Sequence, residues 1–577
     1  MIVTFYINNK EIMADSSKSI LEVAKENGIE IDTLCCLKDC TGTQECGICR
    51  VEDLSENKLL RACSTKVEHG MRLNTASRLV QESKKNRVIE LLNEHNFSCG
   101  TCKRLSNCEF LELVKKTGAK KTVKIDNFED EFSLDERSKS ISIDRTKCLK
   151  CGRCVAVCKN KIGTNVIQLN EVDDRLLVGP ENLRCFDDTD CLLCGQCVAT
   201  CPVGALTEIS HIEKVVEALK DSNKHVVIGM APSVRTSLGE LFQIELGKDV
   251  TKQIYTALKI IGFKKIFDVN FAADITIIEE GTELIERIQK NGVFPMFTSC
   301  CPGWVRFIEN YKPEYIKNLS TAKSPQQIFG AATKNYYPAM NNLDPKSIFT
   351  VSIMPCVAKK YESERDEMQT HNIRDVDAVL TTRELAELIK MNEIDFKNLA
   401  DSEADSIMGE YTGAGTIFGV TGGVMEAALR SVKDIVEGIS LENIDYKEVR
   451  GFEGIKEATV KIDNVDYNLA IVSGGTNIFR FFEENLVQKN NYHFVELMVC
   501  PGGCINGGGQ PHLKASIKEE TGYKELRGEV LYSQDRNSEI RKSHKNPSVL
   551  SMYENYINIE KERAHHLFHT TYKNKNS

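Results

Sequence analysis

The cysteines are the residues of this sequence whose number and spacing most clearly indicate chemistry. The chain has 577 residues and 23 cysteines, and 18 of these come before residue 202. A chain of this length can build several hydrophobic cores and does not need disulfides to hold it together. In a reducing compartment, thiols grouped at short spacings are typical of metal or cluster ligands. We therefore expect several metal centres in the N-terminal part of the chain.

The strongest pattern is an internal repeat. The run C-x2-C-x2-C-x3-C that begins at Cys148 recurs 43 residues later, beginning at Cys191. This spacing is typical of bacterial ferredoxin modules with two [4Fe–4S] clusters, in which the fourth cysteine of each run binds the other cluster. Zinc ribbons rarely combine such close spacing with a distant fourth ligand, so zinc is the weaker alternative. The predicted ligands are Cys148, Cys151, Cys154 and Cys201 for one cluster, and Cys191, Cys194, Cys197 and Cys158 for the other.

Four cysteines near the N-terminus form a looser set with the spacing C-x10-C-x2-C-x13-C. Plant-type [2Fe–2S] sites have an x4 gap in place of x10. Four thiolates also suit zinc, but the β-rich surroundings and the neighbouring clusters favour [2Fe–2S]. The set is Cys35, Cys46, Cys49 and Cys63. Three further cysteines, Cys36, Cys40 and Cys185, are expected to be unliganded thiols.

A mixed set follows, His95-x3-Cys99-x2-Cys102-x5-Cys108. Three cysteines and one histidine are a standard structural zinc set. The same residues can hold a [4Fe–4S] cluster whose histidine ligand raises the reduction potential, as histidine ligands do in Rieske centres. Spacing does not decide between the two metals.

The last part of the chain contributes four widely separated cysteines, Cys301, Cys356, Cys500 and Cys504. Ligands from three distant loops can meet only in a folded domain, and one [4Fe–4S] cluster is the simple interpretation. Cys300 is then spare. Such a thiol is either buried and inert or a weak acid beside a reacting centre.

Segments of different character must position these ligands. Residues 1–80 predict a small α+β domain, with a strand over Ile2–Ile7, a turn at Asn8-Asn9 and a helix after the capping box Ser19-x-x-Glu22. Residues 81–127 are helical in pattern, residues 128–140 are highly charged and predict a linker, and residues 141–209 contain the repeat. Residues 210–577 alternate amphipathic helices with the apolar runs HVVIGMAP, KIFDVN, FTVSIMPC and YNLAIVSGG, which are typical of buried strands in an α/β core. The predicted fold class is multidomain α+β.

Composition excludes several classes of function. The 74 basic and 83 acidic residues give a net charge of −9, which argues against broad binding of nucleic acid or acidic membranes. No apolar run approaches the about 18 residues of a membrane helix. The first residues, MIVTFYINNKEI, lack the charged start and apolar stretch of a signal peptide. We expect a cytoplasmic protein.

Three motifs in the last segment resemble the signatures of [FeFe]-hydrogenases. They are FTSCCPGW at 297–304, IMPCVAK at 353–359 and ELMVCPGGCINGGG at 496–509. The order of the N-terminal cysteine sets is similar to that of monomeric clostridial members, so the resemblance covers essentially the whole chain. It implies a [2Fe–2S] ferredoxin-like β-grasp domain over 1–80 and a small helical [4Fe–4S] domain with the His/Cys3 set over 81–127. It further implies a two-[4Fe–4S] ferredoxin domain over 141–209 and a large α/β catalytic domain over 210–577.

The resemblance also implies the active-site cofactor, the H-cluster. In that family a [4Fe–4S] cluster shares one cysteine thiolate with a two-iron unit that carries CO, cyanide and a bridging dithiolate amine. Carried over, Cys301, Cys356, Cys500 and Cys504 hold the [4Fe–4S] part, and Cys504 bridges to the two-iron unit. The residues implied to surround the cyanide and carbonyl ligands are Pro232, Ser233, Gln326, Pro355 and Lys359. Apolar or soft walls are implied for Met354, Phe418 and Met498.

The implied reaction is the reversible reduction of two protons by two electrons to H2. By resemblance, protons reach the site through Cys300, Glu280, Ser320, Glu283 and Arg287. The residues give partial support, because Glu280, Glu283 and Arg287 lie at i, i+3 and i+7 on one helix face. The alternative from the residues alone is a solvated helix with a Glu283–Arg287 pair. Glu362, which follows the Lys359 motif, is a second acid whose role stays open.

The resemblance implies ferredoxin or a similar electron carrier as partner, maturation enzymes that build the two-iron unit, and a monomeric enzyme. Three other classes compete with a ferredoxin-linked hydrogenase. The large iron–sulfur subunit of respiratory NADH dehydrogenases has similar N-terminal modules but lacks the TSCCPGW and CPGGC motifs. Eukaryotic hydrogenase-like assembly proteins lack the two-iron unit, and Cys300, Lys359 and Glu280 argue against them. Cys300 also argues against a hydrogen sensor with low turnover, and a complex-bound NADH-dependent hydrogenase remains possible within the enzyme class.

Overall fold

The computed structural model describes residues 1–37, 40, 44–123, 130–439 and 444–574. The end of the second predicted segment at 127 and the first two residues of the predicted linker lie outside the described residues. The multidomain α+β class is confirmed, whereas the four segment boundaries stay predictions.

Residues 1–77 form a five-stranded sheet with one helix packed on it. The sheet order is Lys10–Asp15, Ile2–Ile7, Arg72–Asn74, Arg50–Asp53, Lys58–Arg61. The predicted turn is confirmed, because Asn8 and Asn9 both have positive φ angles between two strands that pair Ile7 with Lys10. The predicted capping box is also present, and Ser19 and Glu22 start helix Ile20–Glu26. Five of the N-terminal cysteines lie between this helix and strand Arg50–Asp53: Cys35, Cys36, Cys40, Cys46 and Cys49.

Two helices, Arg78–Glu94 and Glu109–Thr117, make up the second segment. His95 is the first residue after the former, and Cys108 caps the latter by accepting a hydrogen bond from Leu111 N at 3.3 Å. The turns Cys99–Thr101 and Leu105–Asn107 lie between them. Helix ends thus position the mixed histidine and cysteine set.

The predicted linker is wrong for its described part, residues 130–140. Strand Leu134–Asp135 pairs with Ile141–Asp144, which in turn pairs with Leu206–Glu208. The charges that suggested a solvated linker pair with one another instead, since Arg137 Nη2 and Arg145 Nη2 lie 2.7 and 3.4 Å from Asp135 Oδ2. This small sheet encloses the repeat together with hairpin Ile167–Val172 and Arg175–Pro180 and helices Arg153–Val157 and Gln196–Thr200.

Two four-stranded sheets form the centre of the last segment. The first is fully parallel, in the order Lys265–Asp268, His225–Met230, Ile348–Met354, Ala378–Thr381. The second runs Met296–Phe297, Phe494–Met498, Val465–Ser473, Ile455–Ile462, and its last pair is antiparallel. Each of the four apolar runs predicted as strands overlaps one of these strands. Ligands of α/β proteins bind at the carboxyl ends of parallel strands, and that is where the cysteine motifs of this segment lie.

Helices cover both sheets. The main ones are Ile212–Lys220, Thr251–Ile261, Val269–Gln289, Pro302–Tyr311, Pro325–Lys334, Tyr336–Asn341, Ala358–Ser363, Thr382–Met391, Gly423–Glu437, Gly475–Glu483, Ala515–Glu520, Tyr523–Asn537, Pro547–Met552 and Arg563–Phe568. Within the described part of the chain, no helix is both long enough and apolar enough to cross a membrane.

Candidate active site and cluster-binding sites

The four cysteines of the last segment converge where strands of the two sheets end. Cys301 precedes helix Pro302–Tyr311, Cys356 follows strand Ile348–Met354 by two residues, and Cys500 follows strand Phe494–Met498 by two. Burial, followed by the charge of Cys301, raises the pKa of Cys356 to about 12. Burial also raises the pKa of Cys504, with added contributions from Cys356 and Cys301. Four half-buried thiols that oppose one another's ionisation suit a bound cation, because a metal stabilises the thiolate form.

The glycine run after Cys504 lets three backbone segments pass very close together. A Cβ on Gly507 would lie 2.2 Å from Pro355 O, and one on Gly508 would lie 2.1 Å from Cys194 O. Gly509 N donates to Pro355 O at 2.8 Å. The run therefore fits between the loop of Cys356 and the loop of Cys194, where no side chain has space.

The residues implied to surround the two-iron unit are buried around these loops. They lie at strand ends, in short turns or near the start of a helix: Pro232, Ser233, Gln326, Met354, Pro355, Lys359, Phe418 and Met498. Phe418 and Met498 pack with Cys300 in one apolar cluster. Ser352 Oγ donates to Gln326 Oε1 at 2.8 Å, and Ser233 Oγ donates to Gly419 O at 3.4 Å. Together these side chains form a wall beside the four cysteines that is shielded from solvent and carries a few oriented polar groups.

Lys359 brings a buried positive charge to this wall. Its Nζ donates to the Cys300 carbonyl at 3.0 Å and to both Glu362 oxygens at 2.9 Å. Burial opposes the charged form, but the Glu362 carboxylate outweighs it and raises the Lys359 pKa above its usual value. Glu362 also accepts from Ser324 Oγ at 2.9 Å and Gln326 Nε2 at 3.0 Å. Glu362, whose role the sequence left open, thus holds Lys359 charged and in place.

The predicted proton-relay residues form a line away from Cys300. The negative charge of Glu280 adds to burial in raising the Cys300 pKa, which places the two groups near each other. Glu280 is 1 % exposed, and burial, followed by the charge of Glu283, raises its pKa to about 8. Its Oε1 accepts from Ser299 N at 3.4 Å, while Oε2 is buried with no hydrogen-bond partner among the described residues. Glu280 is therefore a carboxyl group that changes protonation state near neutral pH.

The outer end of the line lies at the protein surface. Ser320 Oγ donates to Glu283 Oε2 at 3.1 Å, and the hydroxyl also affects the pKa of Glu280. Arg287 Nη2 donates to Glu283 Oε1 at 2.5 Å and to Leu319 O at 2.8 Å. The side chains of Glu283 and Arg287 are 15 % and 12 % exposed. The structure thus brings Glu280, Ser320, Glu283 and Arg287 together in the predicted order.

The repeat brings its two cysteine groups together across the module. The charge of Cys201 acts on the thiols of Cys148, Cys151 and Cys154. The charge of Cys158 acts in the same way on Cys191, Cys194 and Cys197. Gly152 and Gly195, with φ angles of 70° and 71°, begin the two equivalent helices. Each predicted crossing cysteine lies beside the group that the repeat assigns to it.

His95 is oriented as a metal ligand. Its Nδ1 donates to Lys147 O at 3.0 Å, which leaves Nε2 as the free ring nitrogen. Burial lowers the His95 pKa to about 4, so the ring is neutral at physiological pH. Cys99, Cys102 and Cys108 line the same small cavity. The donor set fits a cluster.

Five of the N-terminal cysteines lie close together, one more than the predicted set of four. Cys46 Sγ lies 3.3 Å and Cys36 Sγ 3.9 Å from Cys35 Sγ, and the sulfurs of Cys35, Cys36 and Cys63 lie within 4.8 Å of one another. Cys49 interacts with Cys63. Cys36, predicted as a spare thiol, therefore lies against the predicted ligands, while Cys40 packs against Ala156 and Val157 of the repeat.

Contacts connect the repeat to the neighbouring sites. Gln196 Nε2 donates to Cys500 Sγ at 3.4 Å and to Asn506 O at 2.8 Å. Arg104, next to the His95 site, donates to Cys201 O at 2.8 Å. A Cβ on Gly204 would lie 2.8 Å from Cys102 Sγ. The cysteine sites are thus packed against one another with little protein between them.

Some groups near the site were not found from the sequence. Glu496 is fully buried and accepts from Gly422 N at 2.6 Å and Met425 N at 2.8 Å, at the start of helix Gly423–Glu437. Thr321, His569 and Glu279 extend the line that ends at Glu283. Thr321 could have been suspected as the neighbour of Ser320, but no local pattern indicates His569, which is 248 residues away in sequence.

Models of known protein families match along the chain. Residues 224–508 match the iron only hydrogenase large subunit, C-terminal domain, and residues 521–575 match the iron hydrogenase small subunit. Residues 79–119 match an iron hydrogenase 1-like iron–sulfur centre-binding domain. Residues 1–78 match a 2Fe-2S cluster binding domain, and residues 147–205 match a 4Fe-4S dicluster domain. The match over 79–119 favours iron–sulfur over zinc at the His95 set.

Similar proteins cover the whole chain. Iron hydrogenase 1 of Clostridium pasteurianum is 52 % identical over 572 residues, which is 99 % of this chain and 100 % of the relative. The NADP-reducing hydrogenase subunit HndD of Solidesulfovibrio fructosivorans is 38 % identical over 99 % of both chains. A solved structure of [FeFe]-hydrogenase HydA1 from Chlamydomonas reinhardtii superposes with a TM-score of 0.56 and 34 % identity, covering 63 % of this chain and 99 % of that one.

Proposed function

The chain belongs to the [FeFe]-hydrogenase family, and from this premise we propose how its residues carry out the reversible reduction of protons to H2. It is a hydrogenase with an H-cluster and accessory iron–sulfur domains. We infer that the H-cluster is bound by the four converging cysteines of the last segment: Cys301, Cys356, Cys500 and Cys504. The observation that carries the proposal is the line of ionisable groups that runs from Cys300, beside these cysteines, to the surface at Glu283.

Cys301, Cys356, Cys500 and Cys504 would hold the H-cluster, which would supply the metal centre at which electrons and protons combine. The groups around these cysteines would orient the two-iron part. Lys359, kept charged by Glu362, supplies one positively charged hydrogen-bond donor on this wall. Ser233 and Gln326 supply neutral polar groups, and Phe418 and Met498 exclude water. Exclusion of water lets protons arrive only through the relay.

In the direction of H2 formation, the relay passes protons inward from Glu283. Glu283 gives a proton to the Ser320 hydroxyl as Ser320 passes its own proton to Glu280. Glu280 then passes a proton to the Cys300 sulfur as the Cys300 thiol releases its own proton towards the active site. The Glu280 pKa of about 8 allows this carboxyl group to accept and release a proton near neutral pH. Arg287 has five donors and no acceptor, so it holds Glu283 in place rather than carrying the proton itself.

Electrons enter through the accessory clusters. We propose one [2Fe–2S] cluster on the N-terminal cysteines, a [4Fe–4S] cluster on the His95 set, and two [4Fe–4S] clusters in the repeat. Cys194 of the repeat and Cys500 lie close enough for the charge of one to raise the pKa of the other. The contact through Gln196 makes this the final step before the active site.

The partner is an electron carrier, and we propose ferredoxin or a protein like it. Lys115 and Lys121 are exposed next to the His95 site, where Lys121 Nζ donates to His95 O at 3.4 Å, and they would face an acidic carrier. We further propose that the enzyme acts as a monomer, that maturation enzymes supply the two-iron unit, and that the cytoplasm is its location.

The proposal is tested by H2 evolution from reduced viologen, measured anaerobically after the two-iron unit has been supplied. We expect rapid gas release by the wild type and by Cys185→Ser, a control thiol outside every proposed site. Absence of gas with all clusters present and carbonyl infrared bands intact would contradict the proposal and favour a sensor or an assembly protein.

A further inference from the structure

The proposed relay leaves open which group delivers protons to Glu283. The Arg287 side chain contacts Glu283 directly, but a guanidinium has no acceptor and does not release its proton in proteins. The opposite side of the carboxylate carries a different set of partners. Thr321 donates to Glu283 Oε2 twice, from N at 2.9 Å and from Oγ1 at 3.1 Å. Behind this hydroxyl, His569 Nδ1 lies 2.8 Å from Thr321 Oγ1.

We propose that His569 is a proton-transfer group that delivers protons to Glu283 through the hydroxyl of Thr321. The inference rests on the proposed relay and extends it by two residues, one of them on the C-terminal segment. Histidine suits this place because its ring both accepts and donates protons near neutral pH.

Hydrogen-bond chemistry fixes the direction of this chain. A Glu283 carboxylate can only accept, so Thr321 Oγ1 donates its single proton to Glu283. The hydroxyl oxygen must then accept from the histidine, which requires a proton on His569 Nδ1. The other ring nitrogen, Nε2, lies 3.0 Å from Glu279 Oε2, and this contact needs a proton on one of the two atoms. The geometry therefore aims the Nδ1 proton of His569 at Thr321 and leaves Nε2 facing the Glu279 carboxyl group.

The fold keeps His569 in this position. Ala322 and His569 form an antiparallel bridge, in which Thr570 N donates to Thr321 O at 2.8 Å and Lys323 N donates to Phe568 O at 2.7 Å. The backbone of the C-terminal segment is thus hydrogen-bonded to the backbone that carries Ser320 and Thr321. Tyr553 OH also donates to Glu279 and fixes the carboxylate behind the ring.

The ring has access to solvent. The His569 side chain is 12 % exposed, and the exposed His565 stacks on it with ring centroids 5.1 Å apart. Besides Glu279, the titratable groups around His569 are therefore Tyr553, His565 and, through Thr321, Glu283. In the inward step, the Nδ1 proton moves to Thr321 Oγ1 as the hydroxyl proton moves to Glu283 Oε2. Solvent then returns a proton to the ring, and no electron is transferred.

The test compares four variants that carry all clusters and the two-iron unit. His569→Gln and Thr321→Val are expected to lower H2 evolution about ten-fold, which is less than the usual 10²- to 10⁴-fold general acid–base contribution because Glu283 keeps some solvent contact. Both should lose an ionisation that the wild-type rate shows near neutral pH. Thr321→Ser restores the hydroxyl and is expected to recover most of the activity that Thr321→Val loses. His566→Gln is the matched control, because His566 is an exposed histidine of the helix that ends just before His569.

A second measurement does not depend on turnover. In protein with ¹⁵N-labelled histidine and without the two-iron unit, the signals missing from His569→Gln belong to His569. We expect a protonated Nδ1, and a bare Nδ1 would overturn the proposal. It would also be overturned if His569→Gln matched His566→Gln in rate and pH profile, or lost activity with an unchanged pH profile. A fully active Glu283→Gln would instead refute the relay on which the inference rests.

Discussion

Replacing Glu280 with glutamine separates the catalytic role of this residue from its effect on stability. The carboxyl group is 1 % exposed, and its pKa lies at about 8 instead of the ordinary 4.5. At about 1.4 kcal/mol per pKa unit, this difference corresponds to at most about 5 kcal/mol in favour of the neutral form. Because the pKa is higher in the folded state, the stability associated with the neutral acid is complete below about pH 4.5 and is lost as the pH rises through about 8. Glutamine keeps the shape and stays neutral, so Glu280→Gln removes this loss.

The expected result is opposite for activity and for stability. H2 evolution should fall by about 10²- to 10⁴-fold, the contribution of a positioned general acid or base, because the amide cannot relay a proton. The unfolding temperature of Glu280→Gln should equal or exceed that of the wild type at pH 9, with a smaller difference at pH 6.

The assay is H2 evolution at several pH values together with anaerobic thermal unfolding. Glu286→Gln is the matched control, because Glu286 is an exposed acid on the same helix and pairs with Lys290 at the surface. Full activity of Glu280→Gln would refute the relay. A variant less stable at pH 9 than at pH 6, relative to the wild type, would refute the argument from the raised pKa.

Three further predictions follow from individual contacts. Cys300→Ser should leave every cluster in place and lower H2 evolution by at least about 10²-fold, because it replaces the acid nearest the site. The control variant Cys185→Ser should match the wild type. Full activity of Cys300→Ser would refute the assignment of Cys300 to the relay. His95→Cys should shift the reduction potential of one cluster in an electrochemical titration, since it changes a ligand of iron; metal analysis that finds zinc at this site would contradict this. Gly508→Ala should impair electron delivery from the repeat, because the added methyl would lie 2.1 Å from Cys194 O. We expect rapid reduction of the accessory clusters with slow H2 evolution. Unchanged H2 evolution would contradict the close contact.

Local spacing was sufficient to predict much of this protein. The two cysteine runs identify their own partners, because a tight loop offers its thiols in a fixed pattern. The helix that carries Glu280, Glu283 and Arg287 follows from periodicity, and its face was predicted from positions i, i+3 and i+7. The apolar strands of the last segment were equally clear.

Contacts between distant segments could not be predicted in this way. The charged residues 130–140 resemble a linker until the partners of Asp135, two arginines at 137 and 145, are seen in space. Cys36 has no helpful spacing, and only the folded loop shows that its sulfur lies 3.9 Å from that of Cys35. His569 reaches the relay because strand-like pairing brings the C-terminal segment beside Thr321. The assignments of individual ligands and relay residues stay predictions that the variants above test.

Isotope exchange between D2 and water is the most direct test of the central claim that this site joins hydrogen and protons through Glu280 and Cys300. The reaction needs the H-cluster and the relay but no electron partner, so the accessory clusters cannot limit it. The wild type with its two-iron unit should release HD and H2 from D2 in ordinary water, and Glu280→Gln should do so at least about a hundred-fold more slowly. Exchange at the wild-type rate in Glu280→Gln would contradict the claim that protons pass through Glu280. The absence of exchange in a wild-type protein with intact carbonyl infrared bands would contradict the claim that this site reacts with hydrogen.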